Sequence, residues 1–222
     1  MIDYRLIRSD RRTLSISIDR EGALVVRAPK RVNKRDIEAF IQQKERWILE
    51  KQAAARQRIA ARPKLADGAA VPFWGSTLTI AFGDVKKAVR KDGILWLPKT
   101  GKASQHARKW QMEQAAALIM PRVAYWAAQT GLQPAKIAFG SARTRWGSMN
   151  VRTRSLRLNA ALIHCPQDIV DYVVVHELVH MIQPDHSAAF HAAVRRILPD
   201  ADGRRAALKG YACLLCLWEQ GD

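Results

Sequence analysis

The chain has 222 residues, 48% hydrophobic with seven tryptophans, which excludes a disordered polymer and fits a globular protein of one domain or two small ones. Thirty-seven lysines and arginines against 20 acids give a net charge of +17, read either as attraction for nucleic acid, nucleotide phosphates or an anionic substrate, or as a basic, well-solvated surface. The N-terminus is charged from the third residue, no apolar run reaches membrane-span length, and three cysteines make no disulfide framework, so a soluble, cytoplasmic protein without membrane contact is expected.

Tyr4, Leu6 and Arg8 alternate, as do Leu14, Ile16 and Ile18 within residues 13–19. A turn at 19–22 leads to a third strand over 23–27 that Pro29 ends, and the three read as a small antiparallel sheet. Asn33 fits the N-cap of a helix running to about Arg58, with Asp36 in the capping-box position. Ile37, Phe40, Ile41, Trp47 and Ile48 form its apolar stripe. A connection at 60–68 precedes short strands at 70–74, 77–82 and 94–97. A long helix then runs from near Ala103 toward Gln129, with Pro121 expected to kink or divide it and Gly131 to end it. This pattern predicts a β-rich region with one long helix over residues 1–100 and a second domain over 101–222.

Residues 136–141 and 155–159 are predicted strands that pair with each other, with a turn around 150–153. Between positions 141 and 157 stand five arginines (Arg143, Arg145, Arg152, Arg154 and Arg157) and no acid. Arg143 and Arg145 are read as part of an anion-facing wall, because they flank the least ordinary local sequence; the other three are read as solvated.

Residues 168–183 then read as one largely buried helix, with Pro166 suited to its start, Asp168 at its positive end and Pro184 stopping it. Within it lies His176-Glu177-Leu178-Val179-His180. Histidines four apart lie one above the other on a helix and can reach one metal ion, while the neighbouring glutamate can take a proton from water held at that metal. Two histidines and an unpaired glutamate in so apolar a helix would cost several kcal/mol with nothing to bind. A third ligand must come from beyond the helix. Downstream of His180 the carboxylates are Asp185, Asp200, Asp202, Glu219 and Asp222, and the histidines are His186 and His191. His186 is the best fit, since imidazole suits zinc and it follows directly on the turn at Pro184. Gln183 and the lack of a methionine after Met181 set the chain apart from metzincins. Cys213 and Cys216 have C-x-x-C spacing in an apolar stretch and read as core residues. His106 and His164 are read as structural, and Tyr211 as a candidate oxyanion donor.

Arg145-Trp-Gly-Ser148, the Leu158-Asn159 pair, the segment from Asp171 to His180 and His186-Ser-Ala-Ala-Phe190 resemble, in order and spacing, the YgjP-like group of zincin-like metallopeptidases, relatives of the SprT and WLM peptidases. The stretch through Lys44-Glu-Arg-Trp-Ile48 is similar too, so the resemblance covers nearly the whole chain. Met149 stands where that family often has cysteine, and His191 where an aromatic often follows the phenylalanine. The resemblance implies an α+β fold, a zincin-like domain whose active-site helix packs on a small antiparallel sheet, preceded by an N-terminal sheet and helix. It implies zinc on His176, His180 and His186, with Glu177 catalytic. The expected reaction is hydrolysis of a peptide or protein, with Arg145 helping to balance an oxyanion and residues 143–146 offering a strand edge. Two alternatives stand beside it: a nucleotide phosphohydrolase or pyrophosphatase on the same site, and a basic nucleic-acid-associated protein with a structural metal.

Overall fold

A computed structural model describes residues 2–19, 21–60, 65–99 and 101–218, and the chain divides into two compact units, Met1–Arg62 and Pro63–Asp222. Residues 61–64 of the expected connection, and Glu219 and Asp222 of the ligand census, lie outside the described residues.

In the first unit, β1 (Tyr4–Ser9), β2 (Ser15–Ile18) and β3 (Leu24–Pro29) form a sheet in the order β1-β3-β2. β2 runs antiparallel to β3, but β1 runs parallel to it, so the sheet is mixed rather than wholly antiparallel. The continuous apolar run Leu24-Val25-Val26 is buried throughout, as a central strand covered on both faces requires. Asn33 caps the following helix, its side-chain oxygen accepting the Asp36 backbone N–H at 2.8 Å. That helix is two, α1 (Lys34–Gln43) and α2 (Glu45–Ala60), interrupted at Lys44 with φ −105° and ψ 10°. Ile37, Ile41 and Ile48 close over Leu24, Val26 and Ala28, whereas Trp47 lies 38% exposed outside the stripe.

In the second unit, β4 (Ala70–Phe73), β5 (Ser76–Gly83), β6 (Val89–Lys91) and β7 (Ile94–Pro98) are ordered β4-β5-β7-β6. β6 had no sequence signal, being three exposed residues without apolar alternation. The division expected after residue 100 falls inside this unit. Phe73, Leu78, Ile80, Leu95 and Leu97 share one core with Trp110, Ile119 and Val174, and the Phe73 and Trp110 rings lie 5.5 Å apart. The β4–β7 sheet thus buries its apolar side against the helices that follow it in sequence.

The long helix α3 (Ala103–Thr130) ends on Gly131 in the left-handed region, φ 71°. It passes through Pro121 undivided. Pro121 and Ala117, whose carbonyl loses its partner there, are both exposed, so water can satisfy the freed group, while Ala115, Ile119, Val123 and Ala127 keep one buried stripe. Beside Pro121, Arg122 makes a two-pronged pair with Asp171, at 2.7 and 2.8 Å.

A second sheet, β8 (Lys136–Gly140), β9 (Gly147–Asn150) and β10 (Ser155–Asn159), has the order β8-β10-β9, with β8 parallel and β9 antiparallel to β10. The edge strand on this side of the sheet is therefore residues 147–150, not 143–146, the other edge being β8. On this sheet packs α4 (Gln167–Val179), whose buried residues include Ile169, Val170, Val173, Val174 and Leu178. Two further helices, α5 (Ala188–Ile197) and α6 (Ala201–Gly210), also pack on α4.

His164 is fully buried, with Nδ1 2.6 Å from the Pro72 carbonyl and Nε2 3.2 Å from the Gln111 side-chain amide. Burial pushes its pKa down to about 4, against a partial upward pull from the Pro72 carbonyl. An imidazole neutral in the folded state but protonated near pH 6.5 when unfolded contributes stability above that pH, lost as pH falls toward 4. The stability difference between wild type and His164→Gln, measured by urea denaturation, should shrink over this window by up to about 1.4 kcal/mol per pH unit. A difference independent of pH would contradict the neutral core assignment.

Candidate metal centre

The last turn of α4 carries His176 and Glu177, and His180 forms its C-cap. The helix thus ends before the expected Gln183, because the chain turns through Met181, Ile182 and Gln183 ahead of Pro184. Nδ1 of His180 donates to the Gln183 carbonyl at 3.0 Å, which leaves Nε2 with its lone pair free. The same turn returns His186 to α4, with its Nε2 3.2 Å from Nε2 of His176. Asp185 is not part of this group: its carboxylate accepts the Ser187 N–H at 3.3 Å. Ser187 in turn caps α5 and accepts the N–H of Phe190 at 3.4 Å. Phe190, fully buried, then supports all three imidazoles, stacking on His180 at 4.5 Å and meeting His176 and His186 edge-on at 4.8 and 5.0 Å.

The three histidines offer ring nitrogens that all lie within 4.8 Å of one another, among the described residues the one such group able to hold a metal ion. Burial, followed by the neighbouring His180 and His186, pushes the His176 pKa down to about 3, and burial also lowers that of His180. Both rings are thereby kept in the neutral form that donates a lone pair. Nδ1 of His176 is buried without a hydrogen-bond partner among the described residues. The 3.2 Å between two facing nitrogens is near the ~3.3 Å that two ligands at about 2.0–2.1 Å span at a tetrahedral angle. A divalent metal with nitrogen preference fits this donor set.

Glu177 is only 6% exposed, between α4 and β9. Burial raises its pKa to about 7, partly countered by the Met149 backbone N–H, which donates to the carboxylate, and by the charge of Arg145. A Cβ built on Gly147 would lie 2.7 Å from Cγ and Oε1 of Glu177, so only glycine allows the carboxylate to sit here. The preceding loop is held by Asn159. Its amide donates to the carbonyls of Ala142 and Arg145, its side-chain oxygen accepts Ala161 N–H, and its own N–H reaches the Trp146 carbonyl.

These groups open on a cleft of about 640 Å³. Of the sequence-predicted residues, His176, His180, His186, Glu177 and Arg145 line it; Arg143 and Tyr211 do not. Tyr172, not singled out in the sequence, lines the cleft with its ring 5.8 Å from that of His176. Arg205 and Lys209 of α6 also line the cleft and were not singled out in the sequence. Their signal is the i,i+4 spacing of two cations on one helix face, visible only once α6 is known to border the site. Cys213 and Cys216 lie outside the metal group and form no disulfide among the described residues.

The family model for the YgjP-like metallopeptidase domain matches residues 12–211, and the chain belongs to this family. Among solved structures the chain is similar to the metallopeptidase zymogen of Pyrococcus abyssi abylysin, at 16% identity over 41% of this chain and 91% of that one, TM-score 0.38. It is also similar to the zymogen of Methanocaldococcus jannaschii jannalysin, at 18% identity over 41% and 94%, TM-score 0.38. No curated protein matches.

Gly147→Ala should displace the Glu177 carboxylate and lower peptide turnover by about 100-fold, the usual effect of a 1 Å misplacement, with the circular dichroism spectrum unchanged. Gly101→Ala, where an added Cβ meets nothing within 4 Å, is the control and should behave as wild type. Equal turnover in the two variants would show that the contact does not position Glu177.

Proposed function

We propose that this member of the YgjP-like metallopeptidase family is a zinc-dependent peptidase of the cytoplasm, with His176, His180 and His186 as metal ligands and Glu177 as general base. The observation that carries this reading is the convergence of three imidazole nitrogens within 4.8 Å in one cleft with a buried, near-neutral carboxylate. Three imidazoles suit zinc, and an incomplete protein ligand set is the mark of a catalytic rather than a structural site. Three cysteines with no disulfide among the described residues fit a reducing compartment.

When bound, zinc supplies a Lewis acid that polarises a carbonyl and lowers the pKa of water from about 15.7 toward 7. The chain's own residues do the rest. Glu177, fixed by Gly147 and by the Met149 N–H, accepts a proton from the attacking water and returns it to the leaving amine. Its pKa near 7 suits a group that takes and gives a proton near neutral pH. Arg145, on the cleft wall, offers positive charge to the oxygen on which negative charge develops. Peptide backbone adds to β9, the edge strand that lines the cleft. Trp146 bonds back to Asn159, so antiparallel alternation turns the Gly147 and Met149 backbone groups outward, and Met149 spends its N–H on Glu177.

A second reading draws on the charge of the cleft lining, where Arg145, Arg205 and Lys209 accompany a single acid, Glu177. Phosphoanhydride hydrolysis of a nucleotide at the same centre would use those cations equally well.

Glu177→Gln should retain about one zinc per chain and lose about 100-fold to 10,000-fold in cleavage of an unfolded protein such as casein. Full cleavage by the variant would remove the general-base assignment. Glu177-dependent release of phosphate or pyrophosphate from nucleoside triphosphates, with no proteolysis, would select the second reading.

A further inference from the structure

Helix α6 carries three basic residues, and they are not equivalent. Arg204 is engaged locally, with Nε 2.9 Å from Asp200 and a guanidinium nitrogen 3.0 Å from the Asp168 carbonyl. On the neighbouring α5, Arg195 is likewise paired, with Asp202 at 3.2 Å. Arg205 and Lys209, one helical turn apart, instead line the cleft and make no ion pair among the described residues. Arg145, from the loop before β9, does the same. Leu208, between the α6 pair, packs on the main core and fixes the face that α6 turns toward the site. β9 and α6 both pack on α4, so the three cations belong to one lined space with the histidines and Glu177. Arg205 is near enough for its charge to act on His176 and Tyr172.

A merely basic surface does not account for this arrangement. Acids are available on these helices and neutralise Arg195 and Arg204, whereas the cleft gathers three permanent cations around one carboxylate. Between them the lining is apolar, with Val151, Leu208 and Leu215. Like charges gathered at a cleft repel one another until an anion joins them, and they raise its local concentration.

We propose that Arg205 and Lys209 form a specificity subsite for a substrate carboxylate, so that the enzyme prefers peptides bearing an acidic residue beside apolar ones close to the scissile bond. This rests on the peptidase reading. Arg205 supplies a planar fork and Lys209 a point charge, a pairing that accepts one carboxylate from two sides. Both side chains are exposed, so the preference is set at roughly 10-fold, the low end for hydrogen bonds to charged groups.

The test measures binding and cleavage separately on the full-length, zinc-loaded chain. Fluorescent peptides matched except for Glu or Gln beside an apolar residue, each with a free or amidated C-terminus, are titrated against Glu177→Gln by anisotropy. The Glu peptides should bind about 10-fold tighter than the Gln peptides, whichever C-terminus they carry. Adding R205Q and K209Q should abolish that preference, leaving the affinity for Gln peptides unchanged. Three outcomes would overturn the subsite: equal affinities in the parent, a preference that survives both substitutions, or a preference that follows the free C-terminus. Tighter binding of inorganic triphosphate than of any Glu peptide, lost in R205Q/K209Q, would overturn it in favour of phosphate. Cleavage with otherwise active Glu177 judges the underlying reading independently. Peptides cut at equal rates remove only the subsite, whereas peptides bound and never cut remove the peptidase.

Discussion

The carboxylate of a glutamate only 6% exposed on an apolar helix is the constraint around which the second unit is organised. Glu177 belongs to the same helix whose Val173, Val174, Leu178 and Val179 are core. Three features from a segment well before it in sequence make its position tenable. Gly147 removes the side chain that would collide with it, the Met149 N–H gives it one hydrogen bond, and Asn159 stitches the loop that delivers both. The segments Arg145-Trp-Gly-Ser148 and Leu158-Asn159 thus serve the histidine-glutamate helix rather than forming a site of their own.

The two buried acids of α4 show how one helix separates structure from chemistry. Asp171 meets a guanidinium fork at 2.7 and 2.8 Å, a geometry that matches its charge, and removing one partner of such a pair typically costs about 3–5 kcal/mol. Glu177, less than two turns later, has no such partner among the described residues: the Met149 backbone N–H donates to it, and the charge of Arg145 acts from the cleft wall. Its proton affinity is raised accordingly. On the same face the three imidazoles share Phe190 as a common support, so ring orientation is set by packing before any ligand binds.

Much of this was legible in the sequence where a local rule decides the outcome. The Asn33 cap, the Gly131 terminator and the burial of α4 follow from capping chemistry, left-handed glycine geometry and an unbroken apolar run. The convergence of His176, His180 and His186 followed from helical spacing plus a proline turn. What stayed hidden is tertiary. Parallel pairing of β1 with β3 depends on which strand is doubly covered, and the interruption at Lys44 has neither proline nor glycine to announce it. The placement of β4–β7 with the later helices reflects a shared core that no local pattern encodes. Gly147 is an ordinary glycine until α4 is brought beside it. The cleft role of Arg205 and Lys209 depends in the same way on where α6 lies.

The central claim is a metal held by these three imidazoles, and X-ray absorption at the zinc edge of the loaded protein tests it most directly. The account predicts about three imidazole nitrogens at roughly 2.0–2.1 Å, with the remaining scattering from light atoms and none from sulfur. A sulfur shell at about 2.3 Å would place the metal on the cysteines instead and contradict the assignment of His176, His180 and His186.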